Sequence, residues 1–315
     1  MTASNDSPAM VTADPLAATH PASLWRDTLG GILRQRSAIV GLAILTLLVA
    51  MAVFAPLIAT HDPTQTLLGF EEGVAKRSAP CIHAFGCPET EPEHYFGTDG
   101  NFRDVFSRVV FGTQTSLTVG FTAIGLAILF GTMIGAVAGY AGGWLDNIMM
   151  RIMDVLLAFP SLLLAIIIVT ALGQGLINAL LAIGIVSLPV YARIVRSSVL
   201  STREADYVTA AQALGESTSG ILLRRVLPNS MTPLIVQATL GIGGAVLEIA
   251  ALAFVGVIGN LETPEWGSMI ALERNQLFLA PHIILAPGLA ITLTVLGFNL
   301  LGDGLRDALD PRLNR

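Results

Sequence analysis

Six apolar runs, each long enough to cross a lipid bilayer, limit what this chain can fold into more than any other feature. A span needs about 20 mostly apolar residues. Residues 37–59 (SAIVGLAILTLLVAMAVFAPLIA) carry no charge at all. Residues 113–142, 176–192, 234–259 and 281–301 supply four more runs. Residues 156–172 are the core of another, whose polar start reaches back to Trp144. In hydrocarbon the backbone must satisfy its own N–H and C=O groups, so such runs fold as helices. The expectation is an all-α membrane protein with six transmembrane helices. Composition agrees, since only 13% of residues are charged against roughly a quarter in soluble domains.

Six crossings leave both termini on one side, and basic residues tell which, because cytoplasmic loops carry an excess of Lys and Arg. With the termini inside, the inner segments hold Arg26, Arg34, Arg36, Arg151, Arg193, Arg196, Arg203, Arg224, Arg225, Arg306, Arg312 and Arg315. The outer loops hold Lys76, Arg77, Arg103, Arg108 and Arg274, so the ratio is 12 to 5. Both termini are therefore expected in the cytoplasm. The chain divides into a disordered polar tail over 1–23, which lacks the basic start of a signal peptide, and an interfacial helix over 24–36. The first span follows over 37–59, then an acidic external loop over 60–112. A five-span core occupies 113–303 and a cytoplasmic tail 304–315.

The external loop contains both cysteines, in CIHAFGC. On the oxidising side of a membrane, Cys81 and Cys87 suggest a disulfide closing a small loop. A metal site using Cys81, His83, Cys87 and His94 is a competing reading, and two free thiols a third. One tight loop of mixed ligands is a weak zinc signal, so no metal is expected. The single lysine, Lys76, sits in GVAKRS without the glycine spacing of a phosphate-binding loop. Any ATP chemistry must then come from a partner. HExxH and GxSxG strings are absent, which removes two common hydrolase classes. A net charge of −6 discourages nucleic-acid binding. An ion-driven secondary carrier stays as an alternative, although no internal repeat supports it.

Against this apolar background, residues 206–229 read DYVTAAQALGESTSGILLRRVLPN. Ala210, Ala211, Ala213 and Leu214 favour a helix over 204–223, Gly215 interrupts it, and Pro228 stops it before the next span. Ala210, Ala211, Leu214 and Gly215 fall on neighbouring helical faces, where small groups let another surface approach closely. A helix made to lie on lipid carries bulkier apolar groups and more cations. The stretch resembles the cytoplasmic signature of the membrane subunits of bacterial ATP-binding-cassette importers: Glu-Ala-Ala, three residues, Gly, nine residues, Ile, one residue, Leu-Pro. Anchored on Gly215, its alanines fall on Ala210 and Ala211 and its Leu-Pro on Leu227 and Pro228. Thr209 takes the Glu slot and Arg225 the Ile slot. The resemblance implies a coupling helix over 204–223 that inserts into a groove on a cytoplasmic ATPase. Arg224 and Arg225 would anchor it near lipid phosphates or the ATPase surface.

The likeness covers nearly the whole chain from Leu24. YFGTDGNFRDVFSRVVFG resembles the LGTDxxGRDxxSR pattern of dipeptide and oligopeptide permeases, with Phe102 where the second glycine is expected. GGWLDNIMMRIMDVLLAFPSLLLAI, TPEWGSMI and FNLLGDGLRDALDPRL resemble the C-type half of that dipeptide, oligopeptide and nickel subfamily. GVIGNLETPEWG departs from the more usual GAQPPTPEWG, and CIHAFGC is outside the pattern. The resemblance implies a type I importer permease fold and a transport subunit without catalytic residues or a cofactor of its own. ATP and Mg are then used by separate ATPases. It further implies half of a peptide-import pore in the bacterial inner membrane. A homologous B-type permease, two ATPase subunits and an extracytoplasmic peptide-binding protein would complete the assembly, the last docking on 60–112 and 260–280. Glutathione and nickel chelates are the alternative cargoes.

Several single residues carry expectations of their own. Gly131, Gly135, Gly139 and Gly143 recur every four residues, a spacing that grooves a helix for close packing, within this subunit or against the partner permease. Glu248 is an acid deep within a span, and such groups face water or other helices. It either lines the translocation path, where it would meet a peptide amino group, or hydrogen-bonds a neighbouring helix. Asp154 lies one turn from Arg151, which favours a local ion pair. Pro160 and Pro287 are expected to kink their helices.

Overall fold

In the computed structural model, residues 35–259 and 263–309 are described. The expected tail over 1–23, nearly all of the interfacial helix over 24–36 and the last six residues of the tail over 304–315 lie outside them. The described residues form α1 (Arg36–Val53), α2 (Ala55–Ile58), α3 (Val105–Ala141), α4 (Gly143–Leu157), α5 (Ser161–Leu172) and α6 (Leu176–Thr202). They continue with α7 (Asp206–Ala213), α8 (Thr218–Ile221), α9 (Leu227–Asn229), α10 (Thr232–Val255), α11 (Trp266–Glu273) and α12 (Pro281–Leu309). Five of these, α1, α3, α6, α10 and α12, are long and apolar enough to cross a bilayer. α3, with 37 residues, is about 55 Å long, so it outruns a bilayer core of about 30 Å and reaches into the structure beyond.

The remaining apolar run, over 156–172, does not fold as the continuous helix that it suggests. α4 and α5 meet at a bend of 93°. Pro160 causes it: the ring has no N–H to continue the hydrogen-bond ladder and drives Phe159 out of the helical region. The 12 residues of α5 cover only about 18 Å. α4 leaves Trp144, Ile148, Ile152 and Val155 exposed along one side, an apolar stripe suited to lying along a membrane surface.

The centre of the bundle is a seam between α3 and α6, which run parallel. A Cβ on Gly131 would stand 2.8 Å from that of Tyr191, and one on Gly139 2.9 Å from the Arg196 carbonyl oxygen. A Cβ on Gly135 would overlap the Ala192 carbonyl oxygen. Three of the four expected packing glycines therefore seat one backbone directly on another within this subunit. Gly143 does not: it opens α4 after the turn at Gly142, with φ 62° and nothing near its missing Cβ. α1 lies antiparallel on α12, with Gly41 facing Gly297 and Leu301, and Gly304 facing Ala38. Pro287 is buried within a continuous α12 and ends no helix there.

Two polar assemblies close the bundle. At the end where α3 begins, residues 59–104 and 263–280 form a cap. At the end where α3 and α6 finish, residues 203–231 form an elbow between α6 and α10.

Candidate functional site

The elbow is not one helix over 204–223 but two short helices and a widened turn. α7 ends because Gly215 adopts φ 78°, a left-handed conformation in which side chains are costly. Its N–H donates to Gln212 O (3.0 Å), and the Glu216 N–H reaches back to Ala211 O (3.1 Å), a glycine-dependent helix stop. Ser217 then caps α8 by accepting from the Gly220 N–H. A π-helical turn over Leu222–Val226 precedes Pro228, whose missing N–H spoils regular helix there. Arg225 donates from Nε to Glu216 Oε2 at 3.2 Å, so it braces the elbow internally. Ser230 and Thr202 hydroxyls, 3.1 Å apart, tie the two stems together.

This arrangement sorts the signature residues. Val208, Ala211, Ile221 and Val226 are buried in the same core as Val195, Val199 and Leu234 of the spans. Ala211 therefore belongs to the foundation rather than to the small-residue surface expected of it, and Leu227 is half-buried against the same core. Thr209, Ala210, Gly215, Arg224, Arg225 and Pro228 are exposed. Leu214 stands 88% exposed at the tip, an apolar side chain held out on a rigid turn.

The elbow connects to a cavity through ion pairs. Arg203, at the start of the elbow, donates to the Gly139 carbonyl oxygen at 2.9 Å. Arg196 grips Asp146 of α4 with two hydrogen bonds, from Nε at 2.5 Å and from Nη2 at 2.7 Å. Asp154 pairs with Arg193 at 2.5 Å, not with Arg151 as its local spacing suggests. α4 is thus pinned to α6 at two points two turns apart. Immediately beyond lies a cavity of about 200 Å³, lined by Phe159 and Ser161 at the proline bend, Tyr191 of α6, and Gln237, Gly241 and Glu248 of α10. Glu248 is half-buried and faces this space. Ser161, Tyr191 and Gln237 carry no sequence signal of their own and become visible only through the fold.

The cap is organised differently. Cys81 and Cys87 form a disulfide, which removes them as metal ligands. The Cys81 and His94 backbones exchange both hydrogen bonds, at 2.9 and 3.0 Å. Asp104 begins α3 by accepting from the Ser107 N–H (2.7 Å) and also accepts from His94 Nδ1 (3.0 Å). Burial works against its charge, but the His94 and Ser107 hydrogen bonds and nearby His61 hold its carboxyl below the usual range. Arg77 and the Gly100 N–H both bind Glu273, at 2.8 and 2.7 Å, fastening the loop to α11. Glu265 caps α11 through the Gly267 and Ser268 N–H groups; burial pushes its carboxyl up while those N–H groups oppose the shift. Trp266, fully buried, fills the space over Gly112 and donates to Val109 O. Phe102 takes φ 57°, the left-handed region for which a glycine is the natural occupant.

A model of the binding-protein-dependent transport system inner membrane component family matches residues 131–315. A model of the N-terminal TM domain of oligopeptide transport permease C matches residues 23–80. The chain is 46% identical to the dipeptide transport system permease protein DppC of Alkalihalophilus pseudofirmus, over 92% of this chain and 91% of that one. It is 38% identical to the glutathione transport system permease protein GsiD of Pectobacterium atrosepticum, again over 92% and 91%. Among solved structures, the inward-facing MetNI methionine ABC transporter superimposes with a TM-score of 0.53 at 18% identity, covering 64% of this chain and 97% of that one. That likeness is one of fold.

Proposed function

The chain belongs to the family of binding-protein-dependent transport system inner membrane components, and from that premise we propose that it is the C-type half of a pore importing short peptides. It is a multi-pass inner-membrane transport subunit and not an enzyme. Subunits of this kind work with another permease, ATPases and a substrate-binding protein. ATP and Mg belong to those ATPases, one of which grips the elbow from the cytoplasm. The 12-to-5 distribution of basic residues supports that orientation. A binding protein meets the cap on the opposite face.

One observation carries this reading: the elbow presents Ala210, Leu214 and Gly215 outward on a scaffold rooted in the core of the spans. A force applied there passes through Arg203 to the end of α3 and through Arg196 and Arg193 to α4, and so to the proline bend and the cavity. The cavity supports a shared pore. Its volume of about 200 Å³ is below the roughly 300–1,000 Å³ of complete ligand sites, so a second permease closes the path. Glu248 meets the peptide amino group. Relatives that carry glutathione share the amino group and peptide linkage, and competition between a dipeptide and glutathione for uptake separates the two cargoes.

The test uses Leu214→Asp, which alters an exposed tip, alongside Gly215→Trp. Both insert into the membrane normally. Each lowers recovery of ATPase subunits with the permease at least tenfold, equivalent to about 1.4 kcal/mol, and abolishes uptake. Normal uptake by Leu214→Asp overturns docking through the elbow.

A further inference from the structure

His61, Glu71 and His94 come from three separate pieces of the cap, and their ligand atoms all lie within 4.8 Å of one another. His61 Nε2 is 3.1 Å from Glu71 Oε1 and His94 Nε2 is 3.3 Å from Glu71 Oε2. Tetrahedral zinc with bonds of about 2.0–2.1 Å sets its ligand atoms about 3.3 Å apart. We propose that these three side chains form a site for zinc or a related first-row divalent cation that clips the cap together.

The second observation is an unmet need. His94 is 98% buried, yet its Nε2 has no hydrogen-bond partner, and the facing Glu71 Oε2 has none either. Two buried polar atoms that face each other without a hydrogen bond are costly to keep. Their arrangement explains what they await. Asp104 is an acceptor and lies 3.0 Å from His94 Nδ1, so Nδ1 carries the hydrogen, and on the neutral ring Nε2 presents its lone pair to the carboxylate 3.3 Å away. Two electron-rich atoms aimed at one point repel unless a proton or a metal cation sits between them, and the converging His61 makes a third donor for the metal. A carboxylate behind the far nitrogen of a histidine is also the usual support of a metal-bound imidazole. His61 is held likewise, its Nδ1 2.8 Å from the Thr60 hydroxyl, with Nε2 turned to the site.

The donor set narrows the cation. Two imidazoles and one carboxylate suit zinc and related first-row metals better than calcium or magnesium, which prefer oxygen. Three protein ligands leave a fourth position for water. Access is provided, because the His61 and Glu71 side chains are 20% and 32% exposed while His94 forms the floor. Bound there, the cation links the end of the first crossing, the loop at Glu71 and the strand-like segment at His94. Through Asp104 it also bears on the start of α3. It is a second cross-link beside Cys81–Cys87, and it revises the expectation that the chain holds no metal.

The test is a zinc titration of the full-length chain in lipid nanodiscs, with bound metal counted by mass spectrometry after desalting. One zinc per chain is expected, and cobalt in its place gives the visible absorption of a tetrahedral site. Glu71→Gln keeps the shape of a half-exposed side chain and should weaken zinc affinity by more than the 10–100-fold typical of lost supporting groups. His83→Ala, outside the cluster, should leave it unchanged. Equal affinity in Glu71→Gln, or loss in His83→Ala alone, overturns the site. Should His94→Ala fail to fold, the unmodified chain decides: zinc raises its unfolding temperature relative to chelator, and no shift at saturating zinc refutes the clip.

Discussion

The cap and the elbow handle polar residues in opposite ways. In the cap, charge turns inward: His94, Asp99, Asp104, Glu265 and Glu273 are all at most 5% exposed. Between residues 60 and 104 only Leu67 and Cys81 join the buried apolar set. In the elbow the direction reverses, with Val208, Ala211, Ile221 and Val226 turned into the spans and Glu204, Asp206, Arg224 and Arg225 left outside. A loop without an apolar core of its own is fixed by hydrogen bonds, which are directional and specify one geometry. Such a network is costly to break at any point, because removing one partner strands another. Burial of aliphatic groups is less directional, and it leaves the outer surface of the elbow free for contact.

The comparison breaks most readily at the elbow's foundation. Val208→Asp places an unpaired charge in the core, and the expected destabilisation is about 3–5 kcal/mol, by analogy with stranded buried charges. Thermal unfolding in detergent should show it, while the Cys81–Cys87 disulfide still forms and resists thiol labelling. An unfolding temperature equal to that of the parent chain would mean the elbow is not rooted as described. An intermediate effect is expected in the cap. Replacing Cys81 and Cys87 together by Ser opens a loop of seven residues and should cost about 2 kcal/mol, without changing how much ATPase the elbow retains. Transmission of that loss to ATPase recovery would merge the two regions into one cooperative unit. The smallest effect has the opposite sign. Phe102→Gly relieves a left-handed side chain worth about 1–2 kcal/mol and gives back part through the freer unfolded chain. A net gain of about 0.5–1 kcal/mol is expected in chemical unfolding, and a loss would show that the Phe102 ring, not its backbone, matters to the cap.

Much of the membrane core was legible because span length and glycine spacing are local properties. Runs at 176–192 and 281–301 each sit on one long helix, the run at 234–259 does so as far as Val255, where Gly256 ends α10, and Gly131, Gly135 and Gly139 mark the seam. The third crossing misled because hydropathy is continuous across 156–172, whereas Pro160 redirects the backbone without changing it. Asp154 was misassigned for a related reason. An acid one turn from Arg151 has an obvious neighbour, but Arg193 arrives from another helix, and nothing in the spacing records that approach. The elbow's place in the chain was plain from its small residues and Gly215. Which face of α7 points inward was not, since Ala210 and Ala211 are alike as residues and only the packing of α6 and α10 separates them. The cavity residues Ser161, Tyr191 and Gln237 share no motif, being drawn from three helices.

The bare contact between α3 and α6 has a mechanical corollary. Where main chain rests on main chain there is no compressible padding, and neither rod can slide or flex alone without collision. Were a thrust delivered at one end of this pair, it would emerge at the other as the tilt of a single stiff strut, with the 93° corner at Pro160 as slack to absorb it.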